Sequence, residues 1–262
     1  MTRSTILMLL MLASTGLAAA PMIIAGTGAS QDMVRELAVI FVRSNADCPT
    51  QVPDSVGSRG GIRTLLASKA SLARVSRPLK AKNQAKGLRY HAFAESQVVF
   101  ATHPGVTGVG KLTRAQVLDI YNGQIANWKQ LGGPDHAIYP LVRDGGTTLR
   151  AVMKYLDDFP QNPPAAKLTY SSLETKRLML AHPYTIGFVP ATLLTGTPLL
   201  SIEIGGVSPS NDTGDGSDLK IPLPLGLVYK DPLEGCAARF VEFLNSDEAR
   251  QTIRRNNAVP LD

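Results

Sequence analysis

Three times along this chain an apolar run ends in a glycine- or serine-bearing turn and passes straight into a helical pattern. Met22-Ile23-Ile24-Ala25 leads into Gly26-Thr27-Gly28-Ala29-Ser30, after which Met33, Val34, Leu37, Ile40 and Phe41 fall on one helical face. Val56-Gly57-Ser58-Arg59-Gly60-Gly61 leads into Ile62-Arg63-Thr64-Leu65-Leu66. Ile138 to Val142 forms a short apolar run, followed by Arg143-Asp144-Gly145-Gly146-Thr147-Thr148 and then Leu149, Val152, Met153 and Leu156 at helical spacing. Strands that alternate with helices restrict the fold to an α/β architecture, expected here with mostly parallel sheets.

The remaining pattern fits that frame. Ser71–Arg77 reads as a short strand, Leu88–Thr102 as a long extended run, and Thr185–Val189 and Leu223–Tyr229 as further strands. Thr113-Arg114-Ala115-Gln116 matches a capping box ahead of Val117, Leu118, Ile120 and Tyr121. Helices are expected near 171–181 and across 234–255, and the polar, glycine-rich Ser208–Asp218 reads as a surface loop. Ser30 is a natural N-cap for the first helix, with Asp32 in its first turn.

A helix N-terminus exposes unpaired N–H groups and the positive end of the peptide dipole, so each of the three turns could hold an anion. Ser30, Ser58, Thr147 and Thr148 add hydroxyl donors, and Gly146 allows close approach of the backbone. Arg143 adds a planar, two-pronged donor suited to a tetrahedral oxyanion. The competing explanation for any one turn is an ordinary capped helix, with Arg143 and Asp144 as a surface ion pair. Three such turns in one chain weaken it.

Other chemistries are poorly supported. Gly105-Val106-Thr107-Gly108-Val109-Gly110-Lys111 begins like a P-loop, but Leu112 stands where Ser or Thr is required. Gly26-Thr27-Gly28 lacks the third glycine of a dinucleotide fingerprint, because residue 31 is Gln. His91, His103, His136 and His182 form no metal-binding spacing, and no Gly-x-Ser-x-Gly elbow is present. No catalytic residue, metal or cofactor is therefore expected. The chain carries a net charge of +6, yet its lysines and arginines are scattered and aromatics are only 6%, which argues against a nucleic-acid surface.

The first twenty residues read as a signal peptide: a basic start, an apolar run too short to span a bilayer, and Ala18-Ala19-Ala20 as a cleavage region. A soluble, exported, periplasmic protein is the expectation. Cys48 and Cys236 could pair in such a compartment or remain separate buried thiols. Trp128 is expected to pack.

Set side by side, Gly26–Ser30, Val56–Ile62, Val75-Ser76-Arg77-Pro78-Leu79, the run LDIYNGQIANWKQLGG at 118–133 and the closing Ala258-Val259-Pro260-Leu261 resemble the periplasmic phosphate-binding proteins of ABC importers. The resemblance covers nearly the whole mature chain. It implies a two-lobed periplasmic solute-binding fold with two crossover strands and a ligand cleft between the lobes. Lobe I would comprise 21–103 plus 219–262, and lobe II 104–218. The resemblance also implies capture of phosphate or a similar oxyanion for delivery to an ABC transporter permease, by a monomer without enzyme activity. Ser30, Ser58 and the 143–148 turn match segments that hold the anion, and Asp144 would orient Arg143 or accept a ligand proton. Arg77 stands where one branch of the family has a proton-accepting aspartate and other relatives have arginine. The family usually follows the arginine matched by Arg143 with Gly-Ser-Gly-Thr, whereas this chain has Gly145-Gly146-Thr147-Thr148. The alternatives are an exported phosphoester hydrolase on the same anion pocket and a non-transport anion-binding or adhesive module.

Overall fold

A computed structural model describes residues 20–205 and 220–261. The signal peptide and the 208–218 loop expected from sequence lie outside these residues, apart from Ala20. The chain begins with β1 (Met22–Gly26), a 3-10 turn at Gly28–Ser30, and α1 (Gln31–Ser44). It continues through β2 (Thr50–Gln51), α2 (Gly57–Leu66), β3 (Leu72–Val75), the short α3 (Ala81–Gln84) and the long β4 (Leu88–Thr102). Then follow β5 (Lys111–Thr113), α4 (Arg114–Asn122), β6 (Tyr139–Arg143), α5 (Gly146–Tyr155), β7 (Lys167–Thr169), α6 (Ser172–Ala181) and β8 (Thr185–Pro190). β9 (Leu200–Gly205), β10 (Ile221–Lys230), α7 (Gly235–Phe243), α8 (Asp247–Arg255) and β11 (Val259–Pro260) complete it.

The strands run β2-β1-β3-β10-β4-β8-β6-β7. At the two flanks they pair in parallel, β1 with β2 and β3, and β6 with β7 and β8. The centre is antiparallel: β10 pairs with both β3 and β4, and β4 with β8. The expectation of mostly parallel sheets is thus right for each flank and wrong for the middle. The reason is topological. β4 leaves the first flank for the second and β10 returns, so the two long strands lie against each other in opposite directions and join two lobes.

Each lobe has its own aromatic cluster. Phe41 lies 5.2 Å from Phe240 edge-on and 5.6 Å from Phe243, tying α1 to α7. In the other lobe Tyr121, Phe159 and Phe188 pack together with Phe100 from the far end of the crossover strand β4, and Tyr121 lies 4.9 Å from Phe159. Edge-to-face contacts of this kind add to the gain from burying apolar area. The fully buried Tyr121 also donates its hydroxyl to Leu141 O at 3.1 Å, which pins α4 against β6 two residues before Arg143. Burial raises the pKa of that hydroxyl far above its usual range, so it stays a donor.

The two cysteines meet. Cys48 and Cys236 form a disulfide that links the loop between α1 and β2 to the start of α7. Trp128 is buried and donates Nε1–H to Tyr184 O at 2.9 Å, as packing predicts. The Thr113 capping box is present, with both reciprocal bonds formed. Among the described residues no helix is long and apolar enough to cross a membrane.

Candidate functional site

The ends of the helices separate into two groups. α4, α6 and α8 are capped by the side chains of Thr113, Ser171 and Ser246. α1, α2 and α5, which follow the three turns singled out in the sequence, have no side-chain cap. α7 also lacks one, so an uncapped end alone is no signature. What distinguishes the three turns is where they sit: Thr27, Gly57, Ser58, Gly146 and Thr147 all face one cleft of about 730 Å³. The expected capping role of Ser30 is therefore not realised. Its neighbour Thr27 caps the 3-10 turn instead, accepting from Ala29 N at 3.3 Å.

One wall of the cleft is a cluster of neutral hydroxyls. The Ser58 Oγ accepts from Ser76 N at 3.2 Å and lies 3.5 Å from Ser76 Oγ, which is also 3.5 Å from Thr27 Oγ1. The two hydroxyl contacts lie at the outer limit of hydrogen bonding, so their hydrogens can turn toward a ligand. α2 reaches this position because glycines meet where it crosses β1. A Cβ on Gly61 would stand 2.6 Å from Gly26 Cα, so no side chain fits there. Behind the wall, the fully buried Arg74 donates from Nη2 to Pro53 O at 2.9 Å and secures the loop before α2. Its Nε and Nη1 have no partner, and burial, followed by repulsion from Arg35, pushes its pKa down to about 10.

Arg143 dominates the opposite wall. It ends β6, and its guanidinium lies over the backbone of Gly146, where a Cβ would meet Arg143 Cζ at 2.7 Å. Gly146 also has φ +82°, a conformation that disfavours side chains. A serine between Gly145 and Thr147 would take a left-handed backbone and displace the Arg143 guanidinium. Thr148 and Ser172 take up the role of hydroxyl partners, accepting from Arg143 Nη1 at 3.4 and 3.5 Å. The Nε of Arg143 is buried without a partner. Burial lowers its pKa, with the nearby Arg150 charge adding to the effect, yet a guanidinium remains charged at neutral pH. This leaves a desolvated cation with an unused donor at an open cleft, and such a group favours an oxyanion.

The other expected residues fall in different places. Arg77 lines the cleft and bonds Pro78 O through Nη1 at 3.2 Å. Ser30 is buried, and its hydroxyl has no partner, but it stands behind the cleft surface. Thr148 is buried beneath Arg143 rather than on the wall. Asp144 is exposed and outside the lining, with its N–H given to Thr169 O at 2.7 Å. Sequence reasoning missed Thr27, Ser76, Ser172 and Arg150. The one available signal was the Val75-Ser76-Arg77 run, a serine at the end of a strand beside an arginine.

A sequence profile described as the PBP superfamily domain matches residues 13–248. The phosphate-binding protein PstS of Bacillus subtilis is 28% identical over 234 residues, 88% of this chain and 77% of that protein. PstS of Borreliella burgdorferi is 25% identical over 225 residues, covering 79% and 78%. Among solved structures, a protein described as a phosphate ABC transporter substrate-binding protein with bound phosphate, from Clostridium perfringens, aligns with a TM-score of 0.75 at 21% identity, covering 93% of this chain and all of that one. An ABC-type phosphate transport receptor from Vibrio cholerae aligns at 0.61 and 22% identity, covering 91% and 99%. The two-lobed fold, the cleft between its walls and the matched profile lead to one conclusion: the chain belongs to the PBP superfamily.

Proposed function

We propose that this chain captures phosphate, or a similar tetrahedral oxyanion, in the periplasm and delivers it to the permease of an ABC importer. The observation that carries the proposal is that the partly buried Arg143, which no carboxylate pairs among the described residues, lines the same cleft as the Thr27–Ser58–Ser76 hydroxyl cluster. The Arg143 charge together with the neutral hydroxyl donors suits a small, highly charged oxyanion. The relatives named phosphate-binding proteins support the same assignment and favour binding over catalysis.

In this proposal lobe I comprises 21–103 with 219–262, lobe II comprises 104–218, and residues 1–20 are removed on export. Arg143 gives the charged contact, and Thr27, Ser58 and Ser76 give hydroxyl contacts. Gly146 and Thr147 offer N–H groups from the uncapped end of α5. Ser30 stands behind Thr27, Thr148 supports Arg143, and Arg77 borders the pocket. Asp144 would have to turn inward to accept a ligand proton. Because contacts come from both lobes, ligand binding favours their closure in a monomer.

The deciding experiment is titration calorimetry with phosphate, arsenate, sulfate and molybdate. Phosphate is expected to bind with a dissociation constant of about micromolar or tighter. No binding of any of the four overturns the proposal. If Asp144 supplies an acceptor, phosphate should outcompete sulfate strongly, and the advantage should shrink in Asp144→Asn. Delivery is tested separately, by loss of phosphate uptake when the chain is deleted.

A further inference from the structure

Beyond the inner contacts, the cleft carries a second rank of cations. Arg59 and Arg63 lie one turn apart on α2, Arg150 is one turn beyond Gly146 on α5, and Lys80, Lys82 and Lys86 surround α3. Among the described residues none of the six forms an ion pair, and no Asp or Glu lines the cleft. With Arg77 and Arg143 the cleft holds more positive charge than the whole chain's net +6, so the rest of the molecule is acidic on balance. Arg77 shows the strain of this concentration: burial, then the charges of Arg150 and Arg59, lower its pKa.

A single orthophosphate leaves most of this charge uncompensated. Its volume, on the order of 100 Å³ by comparison with water, is also a small part of the cavity. Closure of the lobes narrows the cleft but removes no charge from it. The outer cations are exposed and solvated, but their like charges converge on one cleft and raise its positive potential, so the arrangement is best matched by a longer anion.

We propose that the cleft also accepts an anion of two or more linked phosphoryl groups, with the terminal group at Arg143 and the Ser58–Ser76 pair and the next one held by the outer cations. This rests on the inner oxyanion site described above and extends its ligand class from orthophosphate to condensed phosphates. The lysines around α3 are the determinant of the second group, because they are exposed and take no part in the inner contacts.

Competition calorimetry with orthophosphate, pyrophosphate and tripolyphosphate tests it, on the wild type and on the Lys80→Gln/Lys82→Gln/Lys86→Gln variant. At physiological salt, pyrophosphate should bind at least about tenfold more tightly than orthophosphate, and the advantage should fall below about threefold in the variant. Orthophosphate affinity should change by less than about threefold, since the exposed lysines act on it only through a screened field. Pyrophosphate binding no tighter than orthophosphate overturns the inference while leaving the orthophosphate assignment intact. An equal loss for both ligands in the variant also overturns it, because the lysines would then supply only a general field. Pyrophosphate bound without any orthophosphate binding supports the second subsite and removes orthophosphate as the ligand. If neither ligand binds, both proposals fall.

Discussion

The two walls of the cleft solve the same problem with different chemistry. The Thr27–Ser58–Ser76 cluster is neutral where it meets the inner cleft, although Arg59, Arg63 and Arg77 line the cleft around it, and its hydroxyls are held by one another and by a backbone N–H. The Arg143 wall concentrates its effect in one partly buried guanidinium, supported by Thr148 and Ser172 and seated on a glycine whose left-handed backbone disfavours a side chain. A hydroxyl wall can lose one member and keep the others. The lesson is that selectivity can be spread over several weak donors, while most of the affinity for an anion rests on one strong donor whose environment is rigid.

Breaking the charged wall should have the largest effect. Arg143→Ala is expected to weaken phosphate binding by about 3 kcal/mol, more than about 100-fold, as for truncation of a buried charged partner. A loss below about tenfold, measured by calorimetry, would mean that the hydroxyl wall carries the affinity instead. Gly146→Ser, which adds the hydroxyl that the resemblance leads one to expect in this turn, should do harm here. It forces a side chain into left-handed backbone against the guanidinium, at a cost of about 1–3 kcal/mol, and both thermal stability and affinity should drop. Affinity equal to or better than wild type would refute the seating of Arg143 on that glycine.

Ser76→Ala probes the neutral wall and should cost only about 1 kcal/mol, a several-fold loss in affinity, because Ser58 and Thr27 remain as donors. A loss as large as that of Arg143→Ala would abolish the distinction between the walls. The smallest effect concerns neither wall but the connecting strand β4. Burial lowers the pKa of His91 below its ordinary 6.5, and its Nε2 is buried without a partner. The unfolded state then takes up a proton before the folded state as pH falls, so stability is full above 6.5 and declines below it. Thermal melts in mildly acidic buffer should show this decline, and it should be flatter in His91→Gln. An unchanged slope in the variant would assign the acid sensitivity to other groups.

Much of this molecule is written locally. The alternation of apolar runs with helical spacing predicts β1, α1, α5 and β8 to within a residue or two, and β4 matches its expected Leu88–Thr102 limits. Capping at Thr113 is equally local, since the box closes within one turn. Residues near the three turns were likewise legible as donors, because a glycine- or serine-bearing strand-to-helix turn creates the same exposed N–H groups wherever it occurs. Which donors reach the ligand surface was not. Thr27 rather than Ser30 faces the cleft, Ser76 joins Ser58 across 18 residues, and Ser172 supports Arg143 across 29. The antiparallel centre of the sheet and the Cys48–Cys236 bond, separated by 188 residues, have the same character. Periodicity and capping are set by neighbours within a few positions, so the sequence alone determined the elements and their order. The convergence of two walls depends on how β4 and β10 lay distant segments side by side, and only the tertiary structure decided that.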